Sequence, residues 1–188
     1  MDNQQSLLKQ LNSRINALKI ISRNASFKSR LMLASGTYLA KLVYLIQLWG
    51  GTSENFLNAL QVTQNKVMKI VTKSSWFTPT RLLLRQCNWL SVRQLVSYHT
   101  ALSTHKIATT GLPQYHAEKM CSSHSHNTRA TVKFAEKFTG KQSLTANSFC
   151  YRGATQYNRL PLEITQIANE VTFKKKLKEW IKRNIQIK

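Results

Sequence analysis

Between Phe27 and Trp49 apolar side chains recur at helical spacing, through Phe27, Leu31, Ala34, Tyr38, Leu42, Leu45 and Trp49. Leu33, Leu39, Val43 and Ile46 fill most of the remaining faces. The segment therefore predicts one central helix, apolar nearly all round and ended by Gly50-Gly51. Such a helix needs partners to cover it, and the flanking sequence supplies them. Leu8, Leu11, Ile15 and Leu18 make the apolar stripe of a first helix whose other faces carry Lys9, Arg14, Lys19 and Arg23. Ser53 is placed to cap a third, with Glu54 in its first turn and Phe56, Leu60, Val67 and Ile70 on its core face. Asn58, Gln61, Asn65, Lys66, Lys69 and Lys73 are left for solvent or ligand.

Two later helix starts carry their own punctuation. Thr78 as N-cap, Pro79 in the first helical position and a Phe77–Leu82 staple predict a short helix to about Cys87. Ser91-Val92-Arg93-Gln94 reads as a capping box with Leu90 and Leu95 as its staple, opening a helix to about Ile107. Gly111-Leu112-Pro113 stops it. The pattern then loosens into a linker, with a short hairpin allowed around Thr139-Gly140. Phe149, Gly153, Tyr157 and Leu160 restore the helical period before Pro161, and Phe173, Leu177, Trp180, Ile181 and Ile185 stripe a last helix. The expected fold is mainly α: a helical bundle over residues 1–110, a basic Ser/His-containing linker over 111–147 and a small C-terminal helical unit over 148–188.

Charge narrows the function. The chain has 28 Lys and Arg against 7 Asp and Glu in 188 residues, a net charge of +21. Solubility asks for a magnitude of only about 2–8 in a small domain, so the excess points to a polyanionic partner. Asp2 is the one aspartate, and the six glutamates are scattered. Two-metal polymerase or nuclease chemistry needs converging carboxylates, so no catalytic residues and no cofactor are assigned. Uncharged runs stop short of the roughly 20 residues a membrane span requires, and residues 1–5 lack a signal-peptide pattern. Cys87, Cys121 and Cys150 are odd in number and widely spaced, which fits free thiols in a reducing intracellular compartment.

Candidate nucleic-acid contacts are Lys66, Lys69 and Lys73 on the third helix, Arg129, Lys133, Lys137 and Lys141 in the linker, Arg152, and Lys174, Lys175, Lys178, Lys182 and Arg183 on the last helix. Lys and Arg that neutralise phosphates release counterions and give sequence-independent affinity. Trp76, in a loop beside Lys73, is a candidate for stacking on a base, while Phe77 is assigned to its staple. His116, Cys121, His124 and His126 offer zinc-type donors, but their spacing matches no standard finger and a Ser-rich loop accounts for them, so no metal is assigned. A Cys121–His124 nucleophile lacks an orienting third group. The last helix could lie on a membrane surface or in a partner's groove, but its stripe is better used against the chain's own core.

Several strings, read in series, resemble a known family. Leu48-Trp49-Gly50, Leu60-Gln61, Gln64-Asn65-Lys66, Thr78-Pro79, Leu82-Leu83-Leu84 and Cys87-Asn88-Trp89-Leu90-Ser91 precede Phe149-Cys150-Tyr151-Arg152-Gly153, Tyr157-Asn158-Arg159-Leu160-Pro161 and Phe173-Lys174-Lys175-Lys176-Leu177-Lys178. Their order and spacing are similar to the thumb and post-palm region of LINE-type, jockey- or CR1-like non-LTR retrotransposon reverse transcriptases. The resemblance implies a thumb-like helical bundle that grips RNA, DNA or an RNA/DNA hybrid, with the palm and endonuclease lying outside this sequence. With the basic charge it favours an intracellular site, nuclear before cytoplasmic. Tyr157 stands where the family more often has tryptophan, and no Cys-Cys-His-Cys knuckle is present. The alternatives are a protein-interaction or self-association module using apolar surface turned toward the missing palm, or an inert truncated copy of such an element.

Overall fold

Short polar side chains start the helices. Ser26, Ser53 and Ser148 each accept a hydrogen bond from the backbone N–H three residues on, and Asn169 accepts from Val171 and Thr172. Ser91 and Gln94 close the expected capping box: Gln94 N–H donates to Ser91 Oγ at 3.3 Å and Ser91 N–H to Gln94 Oε1 at 3.0 Å. Asn88, at φ 54°, takes the left-handed conformation that ends a helix and is tolerated best by Gly and Asn.

The structure, a computed structural model, describes residues 2–44, 46–120, 134 and 148–185. It is mainly helical, and no strand occurs among the described residues. The helices are α1 (Asp2–Ile21), α2 (Phe27–Ala34), α3 (Ala40–Val43), α4 (Ile46–Trp49), α5 (Glu54–Thr72), α6 (Thr80–Cys87), α7 (Val92–Thr110), α8 (Gln114–Met120), α9 (Phe149–Asn158), α10 (Leu162–Thr165) and α11 (Glu170–Asn184). They form two compact units, residues 1–95 and 96–186.

In the first unit α1 and α2 pack on α5, and α6 packs on the far part of α5. Leu11, Tyr38, Leu42, Leu60 and Val67 are fully buried between them. The central apolar run is not one helix. A π-helical turn, Ser35–Leu39, follows α2, and the chain leaves helical geometry at Tyr44, where ψ is 122°. Two bonds accompany the π turn: the Thr37 carbonyl is taken by the Arg14 guanidinium at 2.8 Å, and the Thr37 hydroxyl donates to Leu33 O at 2.6 Å. Nor is the run buried all round, because Met32, Tyr44 and Leu48 are exposed.

The polar face of α5 is largely consumed inside this unit. Gln64, fully buried, donates to Leu90 O at 2.8 Å, and Gln61 Oε1 accepts from Val92 N–H at 2.9 Å. Asn65 donates to Thr80 Oγ1 at 3.0 Å, and Asn58 accepts from Arg93, which also pairs with Glu54. Of the positions expected to face solvent or ligand, Asn58 is exposed, while Gln61 and Asn65 are half-buried and fix the α6–α7 corner instead. A second inward group is Arg30, buried, donating from Nε to Val71 O at 2.7 Å and from Nη1 to Ala25 O at 2.5 Å.

The second unit is built around an aromatic stack. His105 of α7 lies 3.6 Å from Phe173 of α11 with the rings nearly parallel, and its Nδ1 is 2.9 Å from the Tyr157 hydroxyl of α9. Gly153 of α9 faces α7, and a Cβ there would stand 2.5 Å from Thr104 Oγ1, so only glycine allows this approach. Asn158 donates to Phe134 O at 2.7 Å and accepts from Phe134 N–H at 3.3 Å, pinning that residue beside Tyr157. Within the stretch read as linker, α8 is a helix, and it packs on α9. The hairpin expected at Thr139-Gly140 lies outside the described residues.

Candidate nucleic-acid interface

The i, i+3, i+7 spacing of Lys66, Lys69 and Lys73 sets them in one row on α5. The structure brings Trp76 to that row. Lys69 Nζ donates to Trp76 O at 2.5 Å and sits 4.3 Å from the centroid of the indole. Lys73, in the left-handed conformation at the end of α5, donates to Arg23 O at 3.3 Å, which draws the end of α1 alongside. Arg81 is exposed one residue from Thr80, the hydroxyl that Asn65 holds. One cation, Lys69, thus sits on the exposed indole, and Lys73 and Arg81 are exposed on the chain just before and just after it.

Within this unit the acidic residues are remote from them. Glu54 is the one glutamate of this unit, stands about 22–28 Å of helix from Lys69 and Lys73, and is held by Arg93. Asp2 opens α1 at the end away from Arg23.

The expected staple is corrected. The Thr78 N–H donates to Ser75 O at 3.1 Å, so Thr78 belongs to a turn and Pro79, extended at ψ 141°, becomes the N-cap. The helix starts one residue later than expected, Phe77 falls out of staple register, and its ring is 89% exposed.

In the second unit Phe173, Leu177 and Ile181 are buried along α11 as expected, and its lysines lie outside that stripe. Lys174, Lys178 and Lys182 follow one another at i, i+4, with Lys175 beside them. Lys174 is engaged with Glu170 at 2.6 Å, which holds the Glu170 carboxyl below its usual range and the Lys174 ammonium above its own. Burial, and then the like charge of Lys182, pull Lys178 down. Arg183 lies about 100° round the helix from Lys182, on the side of Glu179. Arg152 is half-buried, and burial lowers its guanidinium. Arg129, Lys133, Lys137 and Lys141 lie outside the described residues.

No group of three or more His, Cys, Asp or Glu able to hold a metal occurs among the described residues. Cys121, His124 and His126 lie outside them, and His116 instead approaches Cys150, with Nδ1 3.3 Å from Sγ. That thiol is packed among Ile107, Met120 and Ala154. Cys87 is buried as well, which pushes its thiol up to about 11 and keeps it protonated at neutral pH. Of the other tryptophans assigned to the core, Trp89 is buried and Trp49 and Trp180 are half-buried. No helix among the described residues is long and apolar enough to cross a membrane.

No protein-family model, curated protein or solved structure matches this chain.

Proposed function

We propose that this chain binds nucleic acid without acting on it, gripping phosphates with the basic rows of α5 and α11 in the manner of a reverse-transcriptase thumb. One observation carries the reading: the Lys66, Lys69 and Lys73 row stands far along α5 from Glu54, the single glutamate of its unit, which is already paired with Arg93. Uncompensated positive charge at a surface stores repulsion that a polyanion relieves, releasing counterions as it binds. The ligand class is RNA, DNA or their hybrid, and the resemblance to LINE-type thumb regions supports the same class.

The test is binding of a short RNA, the equivalent DNA and the hybrid at two salt concentrations, repeated with Lys174, Lys175, Lys178 and Lys182 changed to Gln. Between about 50 and 200 mM salt, six or more phosphate contacts cost about a thousandfold in affinity. The reading expects a loss of that order, with weaker binding by the variant. Salt-insensitive binding, or none at low salt, overturns it in favour of an apolar interaction module or an inert remnant.

A further inference from the structure

We propose that Phe77 and Trp76 form a stacking platform for unpaired bases, so that the ligand of the α5 face is a single strand rather than a duplex. The inference rests on the nucleic-acid reading above and names the substrate class of the same surface. Consecutive large aromatics seldom stand out in solvent together, yet Trp76 is 68% and Phe77 89% exposed.

Both rings stand on a built loop. Ser74 N–H bonds back to Lys69 O at 3.3 Å, Ser74 Oγ donates to Thr72 Oγ1 at 2.7 Å, and the Ser75 carbonyl and hydroxyl accept from the N–H groups of Thr78 and Phe77. Lys69 adds a hydrogen bond to the Trp76 carbonyl and a cation on its ring. The indole is thereby held in place before any ligand arrives, which lowers the ordering cost of binding. A cation on one ring face leaves the opposite face for a base.

The charge around the loop decides which partner suits it. A protein partner for two exposed aromatics would be favoured by an apolar or acid-balanced surround, whereas here Lys69 sits on the indole and exposed Lys73 and Arg81 flank the two aromatics in the chain. Aromatic platforms within a cationic track are what single strands require: every unpaired base has a π-face to stack, and its phosphate needs a cation. In a duplex the base faces are already stacked on one another, leaving Phe77 little to contact.

The experiment measures fluorescence anisotropy of a labelled twelve-nucleotide oligothymidine and of a duplex of equal length, with full-length wild type, Phe77→Ala, Phe77→Trp and Trp76→Ala. Phe77 is so exposed that its replacement leaves packing intact, which a thermal melt by circular dichroism verifies. Stacking on one ring is worth about tenfold in affinity. Phe77→Ala and Trp76→Ala are each expected to lose about that much for the single strand and less than about twofold for the duplex, with Phe77→Trp restoring binding. Equal losses for both ligands, or no loss, overturn the platform while leaving the phosphate grip standing. Absence of wild-type binding to either ligand at low salt overturns the nucleic-acid reading itself. Self-association abolished by Phe77→Ala, with strand binding unchanged, assigns the rings to an interface between copies and likewise overturns the proposal.

Discussion

Arg30 fastens the end of α5 to the turn before α2, and replacing it with methionine isolates that role. The last four carbonyls of a helix have no intrahelical donor, and Val71 O, the second-last in α5, is satisfied by Arg30 Nε at 2.7 Å. Ala25 O takes Nη1 at 2.5 Å. Methionine keeps the apolar stem and removes both donors. Hydrogen bonds from a charged group contribute about 1.5–3 kcal/mol each; the Val71 end is buried, while the Ala25 end is partly open to water and rehydrates. The expected loss is about 3 kcal/mol, read in urea as a fall in midpoint of about 2 M at a slope of about 1.5 kcal/mol/M. Because Arg30 spans 41 residues to the helix end that presents Lys73, the same variant should weaken oligonucleotide binding in proportion. Arg30→Lys, with one compact donor group, should recover only part of the loss. A loss below about 1 kcal/mol for Arg30→Met would show that the carbonyls find other donors, refuting this account of how the α5 terminus is held.

Gly153→Ala places a Cβ 2.5 Å from the Oγ1 of β-branched, buried Thr104, so the α7–α9 approach must widen. Overpacking of this kind costs about 1–3 kcal/mol, measurable as a lower melting temperature, and Thr104→Ala in the same chain should relieve it. Burial lowers the pKa of His99, so the unfolded chain binds a proton more readily than the folded one. That penalty is absent above the unfolded value of about 6.5 and grows as pH falls below it. Urea midpoints at pH 7.5 and 5.5 should therefore diverge less in His99→Asn than in wild type; an unchanged difference would remove His99 as the cause.

What the sequence made legible was whatever two or three neighbouring residues decide. The Ser91/Gln94 box, the Ser53 cap and the Phe173–Leu177–Ile181 stripe depend on contacts within one or two turns, and the structure contains them as read. What stayed hidden depends on distant partners. Gln61 and Asn65 look like a solvent face because polar side chains usually are one, yet their partners lie 31 and 15 residues on. The π turn in the central run coincides with a bond from Arg14, 23 residues before the carbonyl it reaches. Phe77 was misassigned by a single residue: a staple depends on the register of the N-cap, and the Ser75 turn moved that cap from Thr78 to Pro79. Of the candidate site, the α5 and α11 rows followed from helical spacing, while the pairing of Lys69 with Trp76 needed the loop geometry that only the fold supplies.

The central claim, that the lysine rows of α5 and α11 grip phosphates, is tested most directly by counting contacts through salt. The slope of log K against log salt for a single strand is about 0.7 per phosphate neutralised. Lys66, Lys73, Lys175 and Lys182 are all exposed, so changing the four to Gln spares the core. The account predicts a steep wild-type slope that becomes shallower by about 3 in the variant. A flat wild-type slope, or one the four substitutions leave unchanged, would contradict it.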